Sequence, residues 1–259
     1  MSDAAALQAT LRAGLPDCAV TVLAEVGSTN QWLLDRAESA VGDAFCLALR
    51  QTAGRGRRGK DWLSPVGNFH GSASLTVRGE PAAIGPFSLA AATALAGVLE
   101  DLGVSPIGLK WPNDVQVDGR KIAGILLELS AHANPATGSQ RVVVGIGLNV
   151  EPVESDTGQP TTSVRETVPT VVPPIDEIAY RIWTALRACR DRFERRGFPG
   201  FRDDWRARDV LAGLPVTVLQ GEARWHGTAR GVNADGTLRV DSGDGERAVS
   251  AGEVSVRAR

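Results

Sequence analysis

The chain has 259 residues, of which 43% are hydrophobic and 22% charged, a profile that fits a globular protein with one large core and a second small domain and excludes a disordered or fibrous chain. Its formal charge of −2 excludes a general nucleic-acid binder, which draws on a clear excess of Lys and Arg. Apolar stretches such as Leu89 to Leu99 are too short to span a bilayer, and the start lacks a basic region followed by an apolar run, so the expected location is the cytoplasm.

Ala4 to Ala13 reads as a short helix, and Val20, Val22 and Ala24 alternate as a strand leading to Ser28. Ser28 is a good N-cap. Gln31 stands three places later as in a capping box, and Leu33, Leu34 and Ala37 supply an apolar stripe. Strands are expected at Phe45 to Arg50 and Ser72 to Val77, then a helix rich in Ala and Leu from Phe87 to Leu102 that Gly103 stops. Ile107 to Lys110 is a further strand. Val115 to Val117 and Lys121 to Leu129 read as a hairpin closed by Asp118-Gly119. Arg141 to Val150 follows as a strand, and Glu151 to Pro174, crowded with Pro, Thr and Ser, reads as a long surface loop. Asp176 to Arg196 is amphipathic, with Ile178, Ile182, Trp183, Leu186 and Phe193 on its apolar side, and a second helix is expected over Arg202 to Arg208. Beyond Leu211, short alternating stretches at Val216 to Leu219, Arg224 to Val232, Thr237 to Val240 and Arg247 to Val249 read as a small β-barrel. Cys18, Cys46 and Cys189 are far apart with no Cys-x-x-Cys pair, so buried reduced thiols are expected.

Gly54 to Lys60, Gly-Arg-Gly-Arg-Arg-Gly-Lys, carries four cations and three glycines in seven residues. Glycines permit positive φ and close backbone approach to phosphate oxygens, and arginine forks add bidentate bonds. A solvated charge run or a nucleic-acid patch reads equally well from composition alone. Downstream, Lys110-Trp111-Pro112-Asn113-Asp114 precedes the hairpin and Lys121 opens its second strand, which brings Asp114 and Lys121 near each other across the strands. A surface ion pair is the plainer account of that pair. Gly124, and then Gly145, Gly147 and Asn149 on the next strand, would leave room on one sheet face for a ligand. His70, His132 and His226 are scattered, with no metal-ligand spacing.

Taken together, Ser28-Thr29-Asn30, Gln51, the Gly54 to Gly59 loop, Lys110 to Asp114, Lys121 to Leu126 and Gly145 to Asn149 resemble biotin–protein ligases in order and spacing. The resemblance covers most of Val20 to Asn149 and continues more loosely through Thr161-Thr162-Ser163 to Gly252-Glu253-Val254-Ser255. It implies an α+β catalytic domain over residues 1–210, a mixed sheet flanked by helices and related to lipoate ligases and class II aminoacyl-tRNA synthetases, then a small SH3-like barrel over 211–259. It also implies ATP-dependent formation of biotinyl-5′-AMP and transfer of biotin to a lysine of a carrier protein, acetyl-CoA carboxylase's biotin carrier subunit being the usual target.

Biotin would be held by Ser28, Thr29, Asn30, Gln51, Gly54, Arg55, Gly56, Arg57, Lys121 and Gly124, and the adenylate by Arg57, Arg58, Trp62, Asn113, Lys121 and Asn149. Lys121 and Arg55 would stabilise developing charge and Asp114 would orient or deprotonate the carrier lysine. Mg2+ would come with the ATP phosphates, with no protein ligand assigned. Trp62 reads equally well as a core residue, and Ser28 also reads as a helix cap, a role that does not exclude binding biotin. Twenty-seven residues precede Ser28, too few for the winged-helix domain of bifunctional relatives, so no operator binding is expected. A lipoate–protein ligase, or a nucleic-acid module built on the Gly54 to Lys60 patch, are the competing readings.

Overall fold

The structure, a computed structural model, describes residues 3–37, 42–131, 138–153, 159–169, 171–251 and 254–258, the last of these as backbone. His132, Gly252 and Glu253 therefore lie outside the described residues. The first part runs α1 (Ala4–Gly14), β1 (Ala19–Leu23), α2 (Thr29–Leu34), β2 (Ala44–Ala48), β3 (Phe69–Arg78), α3 (Pro81–Ile84) and α4 (Phe87–Asp101). It continues with β4 (Ile107–Lys110), β5 (Asp114–Val117), β6 (Arg120–Leu129), β7 (Ser139–Leu148), α5 (Val164–Thr167), α6 (Ile175–Arg196) and α7 (Arg202–Arg206). Five strands follow, β8 (Pro215–Gln220), β9 (Ala223–Val232), β10 (Leu238–Asp241), β11 (Glu246–Val249) and β12 (Val254–Ala258).

The first seven strands form one sheet in the order β1-β2-β3-β7-β6-β5-β4. It is mixed as expected: β1 and β2 are parallel and the other pairs antiparallel. One face packs against α4 and α6. α4 is apolar nearly all round, with Phe87, Ala90, Ala91, Ala92, Ala96 and Leu99 fully buried, as a helix between a sheet and another helix must be. α6 is amphipathic, and Ile178, Ile182, Trp183, Leu186 and Phe193 all point inward. The run Pro81–Asp101 is 21 residues long and apolar enough to cross a bilayer, which corrects the expectation drawn from Leu89 to Leu99 alone. Gly85 and Pro86 break that run in two, and most of it is buried inside the fold.

Both sheet edges have partners. On β1, the Val20 carbonyl accepts from Arg12 Nε at 3.0 Å and the Val22 amide donates to Gln8 Oε1 at 2.9 Å, both from α1. On β4, Leu109 pairs with the segment before β8, its amide donating to the Arg208 carbonyl and its carbonyl accepting from Val210. Edge-strand amides and carbonyls are thus paired at these positions within the chain itself.

β8 to β12 form the small antiparallel sheet, ordered β11-β10-β9-β8-β12, consistent with an SH3-like fold; β12 was not foreseen from the sequence. It docks onto the larger unit through Trp111, fully buried, whose Nε1 donates to the Gly236 carbonyl at 3.0 Å. Gly236 has φ +78° and lies against Pro86, where a Cβ would sit 2.9 Å from the ring. Other expectations need correction. α2 ends at Leu34, and α7 at Arg206 after a 3-10 turn over Phe198–Phe201. Ser28 caps α2, but Gln31 donates to Asp35 rather than closing a capping box. The Glu151 to Pro174 segment is not wholly superficial. Ser163 and Glu166 form the capping pair of α5, and Thr162, Ser163 and Val164 are buried.

Cys46 and Cys189 are buried and Cys18 is half-buried. Burial pushes all three thiols up to about 12, with Asp43 adding to the effect at Cys18. Thiolate at pH 8 is then on the order of one part in ten thousand. Ellman's reagent is expected to titrate no thiol quickly in the native protein and all three after denaturation; prompt native reaction at Cys18 would show that site to be open.

Candidate active site

The sheet's second face, opposite α4 and α6, carries the site. Residues two apart along a strand share a face, and cross-strand partners align into rows. One row runs Asp114, Gly124, Gly147, His70, Ala48 across five strands. The next runs Leu126, Gly145, Ser72, Cys46, and a third Glu128, Val143, Ser74, Ala44. The glycines in the first two rows make a floor, and α2 and the Arg-Gly loop stand over it. A cavity of about 550 Å3 opens there, lined by every residue that the sequence proposed except Gly54.

Each glycine keeps space for a specific neighbour. A Cβ on Gly147 would lie 2.2 Å from the Trp62 indole, and one on Gly145 would lie 2.3 Å from Asn30 Oδ1. Gly54 sits behind the cavity, where a Cβ would meet the Trp62 carbonyl at 2.4 Å and Ser64 Oγ at 2.7 Å. In the Arg-Gly loop, only Gly59 among the three glycines has positive φ, together with Arg58. Gly54 is therefore explained by close packing rather than by the left-handed backbone expected of a phosphate cradle.

Lys121 and Asp114 do meet, Nζ to Oδ1 at 2.5 Å, with both side chains 17% exposed. They are not cross-strand partners. The register shifts between Val115 and Gln116, so that Lys121 faces Gln116 and Asp114 faces Gly124. Lys121 reaches its carboxylate by lying across Gly124, where a Cβ would stand 3.2 Å from Cε and 3.3 Å from Nζ. Its ammonium is 5.3 Å from the centre of the Trp62 ring, within cation–π range. The backbone of Lys121 is held separately, its amide donating to Pro160 and its carbonyl accepting from Thr162. Gln159 Nε2 donates to the other Asp114 oxygen at 3.4 Å.

At the opposite end a hydrogen-bond chain runs through buried side chains. Thr29 Oγ1 lies 2.7 Å from Ser72 Oγ, and Ser72 donates to Asn30 Oδ1 at 2.6 Å. Asn30 Nδ2 donates to the Leu126 carbonyl at 3.2 Å and to Glu128 Oε2 at 2.8 Å. Thr29 also donates its amide to Gln51 Oε1 at 2.8 Å, and Gln51 Nε2 donates to Ser64 Oγ at 2.9 Å. Arg55 Nη2 donates to Glu128 Oε2 at 3.0 Å. Glu128 lies four residues beyond Gly124 on β6, roughly 13 Å along the strand, so Arg55 and Lys121 stand at opposite ends rather than around one charge.

Arg57 bonds to Asn113 Oδ1 at 3.4 Å and to the Ala251 carbonyl of the small sheet. Burial pulls its guanidinium below the ordinary value, with Asp114 acting the other way. Asn113 and Asn149 both donate to backbone carbonyls, Ile125 for the first and Thr162 for the second, which fixes loops rather than leaving both amides free for a ligand. His70 Nε2 donates to the Pro65 carbonyl at 3.1 Å, and buried His70 Nδ1 and Trp62 Nε1 have no hydrogen-bond partner among the described residues. Burial also lowers the His70 pKa. Ser72, Ser64, Glu128 and Gln159 were not foreseen. A period-two reading from Gly124 would have put Glu128 on the site face.

A glycine-floored cleft with amide and hydroxyl groups at one end and a set of pre-paired cations at the other defines a ligand site for a small polar molecule beside an anion. The pattern of the biotin/lipoate A/B protein ligase family matches residues 22–149, and that of the biotin protein ligase C-terminal domain matches 213–257. The chain is 36% identical over 242 residues to the biotin–[acetyl-CoA-carboxylase] ligase of Paracoccus denitrificans, covering 90% of this chain and 98% of the relative. It is 35% identical over 243 residues to the bifunctional ligase/repressor BirA of Escherichia coli, covering 92% of this chain and 74% of BirA. The solved biotin protein ligase of Aquifex aeolicus in complex with biotin and ATP superposes with a TM-score of 0.76 at 26% identity, covering 93% of this chain and 99% of that one. The chain belongs to the biotin/lipoate A/B protein ligase family, on its biotin protein ligase side.

Proposed function

We propose that this enzyme joins biotin to ATP as biotinyl-5′-AMP and passes the biotinyl group to a lysine on the carrier domain of acetyl-CoA carboxylase. The observation that carries the reading is the Lys121–Asp114 pair lying over Gly124 in the cleft. In the first step a biotin carboxylate oxygen bonds to the α-phosphorus and the bond to the β-phosphate oxygen breaks, releasing pyrophosphate. Two anions meet there, so a fixed cation at that point lowers the barrier most. Lys121 takes that role, and Arg57 and Arg58 hold phosphates. The ureido ring of biotin, with donors and an acceptor, suits the Ser28, Thr29 and Gln51 end. Trp62, on its glycine floor, covers the ligand between the two ends.

In the second step the carrier amine attacks the acyl carbon and AMP leaves. Asp114 orients that amine and takes its proton once Lys121 has turned to the phosphate. No cluster of three His, Cys, Asp or Glu among the described residues is placed to hold a metal, so this donor set does not fit a resident ion and Mg2+ is assigned to the ATP phosphates. The reading places the enzyme in the cytoplasm and includes no operator binding, in keeping with the formal charge of −2.

Mass spectrometry of a biotin carrier domain incubated with the protein, Mg-ATP and biotin tests the proposal, with lipoate as a competitor. The expected result is a biotin-sized gain that needs ATP and resists lipoate. No gain with either acid would overturn it, and a lipoyl-sized gain would move the protein to the other branch of its family.

A further inference from the structure

We propose that Glu128 is a positioning residue for biotin recognition, the sheet-side anchor that holds Arg55 and sets the direction of the hydrogen-bond chain reaching Thr29 and Gln51. This rests on the function proposed above. Glu128 Oε2 receives two donors at once, Asn30 Nδ2 at 2.8 Å and Arg55 Nη2 at 3.0 Å. A carboxylate can only accept, so Glu128, together with the Leu126 carbonyl that accepts from the same Nδ2 at 3.2 Å, fixes which way the Asn30 amide faces. Asn30 must then present Oδ1 to Ser72, Ser72 must donate to it at 2.6 Å, and the Ser72 oxygen is left to accept from Thr29. Because Ser72 gives its proton to Asn30, the Thr29 hydroxyl donates to Ser72 at 2.7 Å rather than over the longer 3.1 Å contact to Gln51 Oε1, and Thr29 keeps lone pairs for a ligand N–H.

The other consequence concerns the loop. Arg55 is the first cation of the Gly54 to Lys60 segment, and its side chain is 39% exposed. Its ion pair with Glu128 ties that segment to β6, across 73 residues of sequence. One carboxylate therefore sets both the polarity of the recognition end and the position of the loop above it. Glu128 itself need not touch biotin for either effect.

The test compares wild type with Glu128→Gln, which keeps an oxygen but removes the charge, and Glu128→Leu, which removes the acceptor. Calorimetric titration with biotin alone, steady-state kinetics and brief trypsin treatment of the ligand-free protein are read together. Glu128→Gln is expected to raise the biotin Kd and KM by about tenfold, the weight of a charge-assisted hydrogen bond, and Glu128→Leu by more. At saturating biotin, kcat and the KM for ATP stay near wild type, and tryptic cleavage rises at Arg55 to Lys60 without rising elsewhere. Unchanged biotin affinity and unchanged loop cleavage would overturn the proposal. So would a fall in kcat with cleavage throughout the chain, which marks general loss of structure. A wild type that binds no biotin would sink the functional reading, while the loop-cleavage comparison still decides whether Glu128 anchors Arg55.

Discussion

Replacing Lys121 with alanine is expected to slow formation of the acyl-adenylate at least about a hundredfold, the effect of removing one preorganised contact to developing charge, near 3 kcal/mol. Its ammonium is largely withdrawn from water, 2.5 Å from Asp114 and beneath Trp62, so little rearrangement is needed when a phosphate takes the carboxylate's place. The backbone of Lys121 is held by Pro160 and Thr162 whatever its side chain, so the fold should survive. The loss should therefore appear in pyrophosphate release with saturating biotin and ATP, with an unchanged circular dichroism spectrum. Arginine should not restore the rate, because the planar guanidinium does not reproduce a compact ammonium lying over Gly124. A drop of less than about tenfold, the size of one ordinary hydrogen bond, would assign Lys121 to binding or packing and leave the transition-state charge to Arg57 and Arg58.

What the sequence disclosed follows from how far apart the interacting residues are. α4 and α6 were legible because a helical stripe repeats locally, and the β5–β6 turn because Asp118-Gly119 carries its own signature, both residues having positive φ. Lys121 and Asp114 were rightly expected to meet, for a reason that proved incomplete. The bulge beside Val115 and Gln116 shifts their register, and only the open space over Gly124 lets the lysine cross. α5 was missed because Ser163 and Glu166 lie inside a run of Pro and Thr that reads as loop. Glu128 was missed because its partners, Arg55 and Asn30, are 73 and 98 residues away, and only the closed sheet brings them together. Of the two properties expected of the loop's glycines, close backbone approach is seen at Gly54, packed against the Trp62 carbonyl and Ser64, and positive φ at Gly59.

Gly145→Ala is expected to cost about 2–4 kcal/mol of folding stability, combining overpacking with unpaired buried polar groups, and to weaken biotin binding at least a hundredfold. The new methyl would stand 2.3 Å from Asn30 Oδ1 and 2.9 Å from its Cγ. Neither side can yield cheaply. β7 is central, bonded to β3 on one side and β6 on the other, and Asn30 is 3% exposed with Ser72, Leu126 and Glu128 all bonded to it. Moving Asn30 would leave the buried Ser72 proton and the Leu126 carbonyl to find new partners, while Glu128, 26% exposed, would keep only Arg55. Gly147→Ala offers a useful contrast, since the group it strikes is the half-buried Trp62 ring, whose Nε1 has no partner to lose among the described residues; its cost should fall on ligand binding more than on folding. Gly97 on α4 has open space at its Cβ position, so Gly97→Ala should be neutral or stabilising by about 0.5–1 kcal/mol. Urea denaturation and biotin calorimetry on the three variants separate these cases. If Gly145→Ala binds biotin as tightly as wild type, Asn30 can leave the row without harm, and the buried chain from Thr29 to Glu128 is then a consequence of packing rather than the means by which the site recognises its ligand.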